Sequence, residues 1–272
     1  ASGSARLSPR LVGRTRRQCG ILAPQRRGRR MAFERYRHCE FMLPMDRDLL
    51  LEAADAAGVY EETGVLEVEC GIGTGLSWIA KERGCSGLGV DPRERLVIEA
   101  ARRAVRWGVM ERISFVARPL DDLGVGVQQF DVGLHLGGRY QLGEQGARQF
   151  EEAVVEDGAL IVAEPVWVGE KSDLVAARFA QPEAILGAEA QKQAYQERGY
   201  EIVYCEMLSG GEWRRFDDGL RKGLREERAA YETWAERAQE LDRVLWALDA
   251  FYADGGPARV AMMLSVLEKA GW

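Results

Sequence analysis

Between residues 64 and 164, five short apolar runs alternate with stretches whose apolar residues recur at helical spacing, and few architectures accommodate that order. The runs occupy 65–68, 87–90, 113–117, 130–136 and 159–164. Helical patterns fill 76–83 and 93–107, and a third, GEQGARQFEEAVV, precedes the fifth run. Parallel strands joined by crossover helices satisfy this alternation, with helices covering both faces of the sheet. Two later runs, YEIVYCEML and ARVAMMLSVLEK, raise the expected count to seven strands, with the last antiparallel at the sheet edge. The predicted fold class is α/β: a Rossmann-like, doubly wound, seven-stranded sheet, mostly parallel with an antiparallel edge strand, plus helical cap elements.

Ahead of the first strand, residues 31–58 read as helices, with Asp46 as an N-cap, Leu49, Leu50, Ala53 and Ala57 on one face, and Gly58 as the stop. Helical insertions are expected around 166–190 and 213–252, the first placed as a cap over the carboxyl ends of the strands. In the second, Tyr231, Trp234, Leu241, Leu245, Leu248 and Tyr252 follow helical spacing, a stripe read as core packing. Residues 31–272 are expected to form one domain.

Charge is distributed unevenly. Nine of the 37 Lys and Arg residues are arginines within the first 30 positions, which hold no Asp, Glu or Lys; the remainder carries 28 against 43 Asp and Glu. An acidic body repels nucleic acid, so no nucleic-acid partner is expected. Three readings of the basic opening are a nucleic-acid or lipid arm, a transit peptide, and sequence lying ahead of a start at Met31. The last is preferred, since patterned sequence begins just after Met31. No apolar run approaches the roughly 18 to 20 residues of a spanning helix, so no membrane partner is expected. Five scattered cysteines without a C-x-x-C pair suit reduced thiols, and a cytoplasmic location is the expectation. With two histidines, His38 and His135, a histidine-rich metal site is excluded, and no metal is expected.

The chemistry concentrates in GVLEVECGIGTGLSWIA, from Gly64 to Ala80. Glycines between a strand and a helix allow a sharp turn and close approach of a ligand, and the helix start offers unpaired N–H groups. A nucleotide-like ligand is the first expectation. A nicotinamide-type loop needs G-x-G-x-x-G, whereas the sixth position counted from Gly71 is Leu76. An acid, Glu67, followed by Gly71, Gly73 and Gly75, stands here instead.

VLEVECGIGTG resembles the first motif of class I S-adenosylmethionine (SAM) dependent methyltransferases. GLGVDPRERLVIEAARRA is similar to their second motif, FDVGLHLGG to the fourth, and VVEDGALIVAEPVW to the fifth-strand segment. The likeness runs from about Asp46 onward and is greatest to small-molecule methyltransferases with a tryptophan-rich helical C-terminal part, which GEWRRFDDGLRKGLREERAAYETW resembles. The resemblance implies SAM as cofactor, with Glu67 near the methionine amino group. It further implies that Gly71 and Gly73 allow close backbone approach, Asp91 accepts from the ribose hydroxyls, Pro92 and Arg93 flank the adenine, and Leu120 and Gly137 border the cofactor.

Two positions depart from that pattern. Pro119 stands where an adenine-binding acid is expected, so Asp121, Asp122 or the backbone near Leu120 takes that role, or the site is weakened. Glu69 replaces the first glycine of the loop. Strand alternation would aim Glu67 and Glu69 at one face, where Glu69 is either a second cofactor contact, favoured by the cationic sulfonium and ammonium, or an obstruction.

Methyl transfer from a sulfonium is an in-line displacement that positioning can drive, with a base optional. Candidate catalytic residues are Glu164, His135 and Tyr140, all near the carboxyl ends of the strands. Arg139, Trp167, Trp213 and Phe216 are candidate walls for an acceptor. The expected function is methyl transfer to a small-molecule acceptor; the alternative is a non-catalytic SAM or nucleoside binder with a degenerate site.

Overall fold

All seven apolar runs form strands: β1 (Gly64–Val68), β2 (Ser86–Val90), β3 (Ile113–Val116), β4 (Phe130–Leu136), β5 (Val154–Trp167), β6 (Tyr200–Leu208) and β7 (Val260–Lys269). The computed structural model describes residues 34–124, 126–137, 142–208, 210–231 and 235–270. The arginine-rich opening, Arg139, Tyr140 and Trp234 lie outside them. One sheet results, ordered β3-β2-β1-β4-β5-β7-β6. Neighbours from β3 through β5 pair in parallel, and β7 runs antiparallel to both β5 and β6. The antiparallel pairing thus falls at one edge, with the reversed strand second from it and β6 outermost. Burial explains the placement: β7 buries its first eight residues and needs a partner on each side, whereas most of β6 is partly or fully exposed.

The helices are α1 (Arg47–Ala56), α2 (Thr74–Arg83), α3 (Glu94–Trp107), α4 (Gly143–Ala153), α5 (Asp173–Ala176), α6 (Ala188–Glu197), α7 (Gly210–Ala229), α8 (Ala235–Ala253) and α9 (Gly256–Arg259). Helix α1 begins as expected, the Asp46 carboxylate accepting from the N–H groups of Asp48 and Leu49 at 2.9 and 3.2 Å. The sheet separates two apolar cores. One gathers Val65, Leu76, Ile79, Leu134, Ile161 and Leu264, and the other Leu66, Val68, Phe150, Val162, Val166 and Met263. The stripe of α8 is packing: Leu241 and Leu248 are buried with Leu220 and Leu224 of α7 and with Cys39.

Two stretches differ from the sequence expectation. Residues 37–46, expected to be helical, form an irregular strap after a single 3-10 turn at Glu34–Tyr36. Tertiary bonds hold it: the Glu40 carbonyl accepts from Thr74 Oγ1 at 2.7 Å and from Arg103 Nη1 at 3.0 Å, and the Glu40 carboxylate accepts from Trp78 Nε1 at 2.9 Å. The 3-10 turn before it lies so close to α7 that a Cβ on Gly223 would collide with the Arg35 carbonyl. Second, β5 continues past Pro165 to Trp167. The Ala163 carbonyl faces β4, accepting from the Gly137 N–H, so Pro165 faces the same way; β4 has by then ended, and its missing N–H costs no ladder bond.

Gly73 caps α2 in the left-handed region, with φ 66°, and a Cβ there would lie 2.6 Å from the Phe115 ring and 2.7 Å from Ala100. Gly73→Ala is therefore expected to destabilise the protein by about 2–4 kcal/mol through strain and overpacking. Thermal unfolding reads this as a melting temperature lower by roughly 5–10 °C. An unchanged midpoint would mean that Phe115 repacks without cost.

Candidate active site

The loop after β1 leaves the strand at Val68 through two left-handed residues, Glu69 with φ 50° and Gly71 with φ 54°. Glycine adopts this conformation freely, whereas a glutamate there carries strain of the kind that clusters at functional sites. Alternation therefore ends at Val68, Glu69 does not share the face of Glu67 by strand geometry, and the carboxylate whose charge acts on Glu67 is Asp91. Glu67 is buried, and its carboxylate accepts from the Leu76 N–H in the first turn of α2 at 3.2 Å. Burial pushes its pKa up to about 8; the Leu76 bond opposes the shift and the Asp91 charge adds to it. A Cβ on Gly75 would sit 2.6 Å from Glu67 Oε1, so this glycine makes room for the carboxyl group.

Asp91 directly follows β2 and has no exposed surface. Oδ2 accepts from the Gly71 N–H at 2.9 Å, and Oδ1 from the Arg93 N–H at 2.8 Å. The Arg93 guanidinium closes a two-pronged ion pair on the same carboxylate, at 2.8 and 2.6 Å. Sequence spacing alone carried no sign of this pairing. The pair holds the glycine loop against β2 and occupies the oxygens that the resemblance assigns to a ribose.

Two cavities open along this loop. The first, of about 260 Å³, is lined by Glu67, Glu69, Gly71, Gly75, Gly137 and Arg93, and beyond them by Met42 of the strap, Arg178, Trp213 and Phe216. The second, of about 290 Å³, is lined by Val68, Glu69, Pro92, Pro119, Leu120 and Asp121. Glu69 borders both. Asp121, two residues after Pro119, lines the second cavity together with Glu69. Arg93, expected to flank the adenine, belongs to the first cavity through its bond to Asp91.

Several expected site residues lie elsewhere. Gly73 lines neither cavity and instead packs on Phe115 and Ala100. Glu164, two residues from both Val162 and Val166, shares their core on the opposite face of β5 from cavity-lining Pro165, and accepts from the Tyr195 hydroxyl of α6. His135 likewise lines neither cavity: it packs edge-on against Phe150, with Nε2 3.5 Å from Glu69 Oε2. Both residues follow strand alternation to the face away from the first cavity, so neither touches its contents. Trp167 is buried in the core rather than in a cavity wall. Tyr140 and Arg139 lie outside the described residues. Among the described residues, no group of three or more His, Cys, Asp or Glu is placed to hold a metal ion, and no helix is long and apolar enough to cross a membrane.

The strap and α5–α7 supply what sequence reading missed. Tyr36 stacks on Phe216 with ring centroids 6.4 Å apart. Arg178 is bound at both ends by Asp217, at 2.8 and 2.5 Å, and its guanidinium lies over the rings of Trp213 and Phe251 at 4.7 and 4.6 Å. Asp217 also accepts from the Tyr252 hydroxyl at 2.7 Å.

No family model matches the chain. Solved SAM-dependent methyltransferases share its fold. A SAM-dependent methyltransferase from Thiobacillus denitrificans, solved with S-adenosyl-L-homocysteine, superposes with a TM-score of 0.77 at 18% identity, covering 87% of this chain and 97% of that one. A second, from Geobacter sulfurreducens, also solved with S-adenosyl-L-homocysteine, gives 0.77 at 20% identity, with coverage of 87% and 96%. At these identities the likeness establishes the fold. YjhP of Escherichia coli is similar in sequence, 25% identical over 161 residues, which span 57% of this chain and 64% of YjhP. The match thus covers less than two thirds of YjhP's length by sequence. The YjhP crystal structure superposes with a TM-score of 0.74, covering 87% of this chain and 99% of YjhP.

Proposed function

We propose that the chain is a SAM-dependent methyltransferase acting on a small molecule. The observation that carries this reading is the pair of cavities meeting at Glu69, strung along the carboxyl ends of β1, β2 and β4, the position at which open α/β sheets take ligands. The residues suit the cofactor. Glu67, at the floor of the first cavity beneath Gly75, would face the ammonium, and Pro92, Leu120 and Asp121 would border the adenine in the second. Glu69, whose carboxylate is drawn toward His135, would be a second contact to the cationic ligand. The bound solved relatives of the same fold support the assignment.

When bound, the cofactor supplies an activated methyl group for in-line displacement. The chain's own contribution is then to hold and align. The strap and α7 wall part of the first cavity, and the Gly71 N–H fixed on Asp91 sets the loop. Transfer from an already activated methyl group needs alignment first, and that is what these lining residues would supply.

Calorimetric titration of the full chain with S-adenosylhomocysteine is expected to give micromolar-range binding. Labelled methyl from SAM is expected to reach a small-molecule acceptor. A second reading, nucleoside binding without transfer, is favoured by Glu69 and Pro119, the two departures from the methyltransferase pattern, which both line the second cavity. SAM binding without transfer to any acceptor would select that reading, and absence of binding would overturn both.

A further inference from the structure

Asp91 has no oxygen left for a ribose. Oδ1 accepts from the Arg93 N–H and from its Nε, and Oδ2 accepts from the Gly71 N–H and from Arg93 Nη2, so each oxygen already takes two bonds. Ribose hydroxyls that leave water for this site need another acceptor, because a buried hydroxyl without one is costly. The other carboxylates in the described lining are Glu67, Asp121 and Glu69. Glu67 belongs to the first cavity alone and Asp121 to the second alone, whereas Glu69 borders both.

The Glu69 side chain is 31% exposed, and its left-handed backbone takes it out of strand alternation. His135 Nε2 stands 3.5 Å from Oε2, at the outer limit of a hydrogen bond, and among the described residues no bond reaches Oε1. His135 thus steadies one oxygen and leaves the other able to accept. A cofactor laid along both cavities, its methionine end in the first and its adenine in the second, has the ribose between them. We infer that Glu69, rather than Asp91, accepts the ribose hydroxyls of the cofactor, and that Asp91 is given over to holding the glycine loop and Arg93. The sulfonium lies next along the ligand, but it carries no hydrogen-bond donor, whereas a diol meets a carboxylate through directed bonds. The inference rests on the methyltransferase reading and names the residue that holds the ribose within it.

S-adenosylhomocysteine and its analogue lacking both ribose hydroxyls are titrated calorimetrically into the full chain and into Glu69→Gly, a substitution that removes the carboxylate and suits the positive φ. The unaltered chain is expected to bind S-adenosylhomocysteine about 10- to 100-fold more tightly than the analogue, the worth of a hydrogen bond to a charged acceptor, and Glu69→Gly is expected to bind the two about equally. A merely structural role for Glu69 would weaken both ligands alike and leave their ratio standing, which overturns the inference. Tighter binding of both by Glu69→Gly also overturns it, since Glu69 would then be an obstruction. SAM is titrated alongside. If Glu69→Gly loses a preference for SAM over S-adenosylhomocysteine while the ratio set by the hydroxyls is unchanged, Glu69 reads the sulfonium and the ribose assignment falls. Adenosine and 2′,3′-dideoxyadenosine complete the set. A chain that takes adenosine but not S-adenosylhomocysteine, and prefers it to the dideoxy form only with Glu69 in place, would overturn the cofactor assignment and leave the ribose role of Glu69 standing. Binding of neither nucleoside nor S-adenosylhomocysteine overturns both.

Discussion

Replacing Asp91 by alanine is expected to abolish S-adenosylhomocysteine binding and to lower the melting temperature by on the order of 10 °C. The carboxylate is buried and accepts from two backbone N–H groups, those of Gly71 and Arg93, as well as from the Arg93 guanidinium. Charge-assisted bonds of this kind are worth roughly 1.5–3 kcal/mol each, and the alanine leaves the Gly71 N–H without its acceptor, loosening the loop that lines the first cavity. Arg93→Ala is the informative companion. It removes the group that competes with a ribose for the Asp91 oxygens, so affinity for the nucleoside is expected to rise several-fold even as stability falls. Thermal unfolding and calorimetric titration on both variants check the pair. Weaker nucleoside binding by Arg93→Ala would show that the guanidinium is itself a ligand contact rather than a competitor.

Glu67→Gln is expected to stabilise the ligand-free protein above neutral pH and to weaken SAM binding. The folded-state pKa of Glu67, about 8, stands above the ordinary carboxylate value of the unfolded chain, so between about pH 4.5 and 8 the folded state holds a proton that the unfolded state has lost. The contribution of Glu67 is full below pH 4.5 and declines as pH rises to about 8. The glutamine variant lacks this decline, so its advantage grows across the same window and reaches on the order of 10 °C at pH 8. Pairing with an ammonium ionises the carboxyl group, so SAM binding at pH 7 is expected to release a proton from the unaltered protein and none from the variant. Calorimetry in buffers of different ionisation enthalpy reads this directly. Equal proton release by both proteins would place the titrating group elsewhere. Asp91→Ala, which removes a neighbouring negative charge, is expected to lower the pKa of Glu67.

Local sequence patterns account for the seven strands, the Asp46 cap and the glycine loop, whereas the bond from the Gly71 N–H to Asp91 emerges only in the folded chain. Those patterns obey local rules: periods of two and 3.6 residues set which side is buried, and a strand followed by glycines and a helix can turn in few ways. Tertiary structure decided which charges remain available. Glu164 and His135 stand at strand ends near the site in sequence terms, yet alternation sends both to the face away from the first cavity, where Tyr195 and Phe150 receive them. Arg93 is two residues from Asp91, but only the folded site shows its guanidinium closed on that carboxylate. Residues 37–46 read as a helix and become a strap, because Thr74, Trp78 and Arg103 bond Glu40 more favourably than helical neighbours would. The aromatic half of the cavity joins Tyr36, Arg178 and Trp213 from three distant segments, and β7 enters between β5 and β6. No local pattern encodes such meetings, since they are chosen by how buried faces and buried charges are matched across the whole chain.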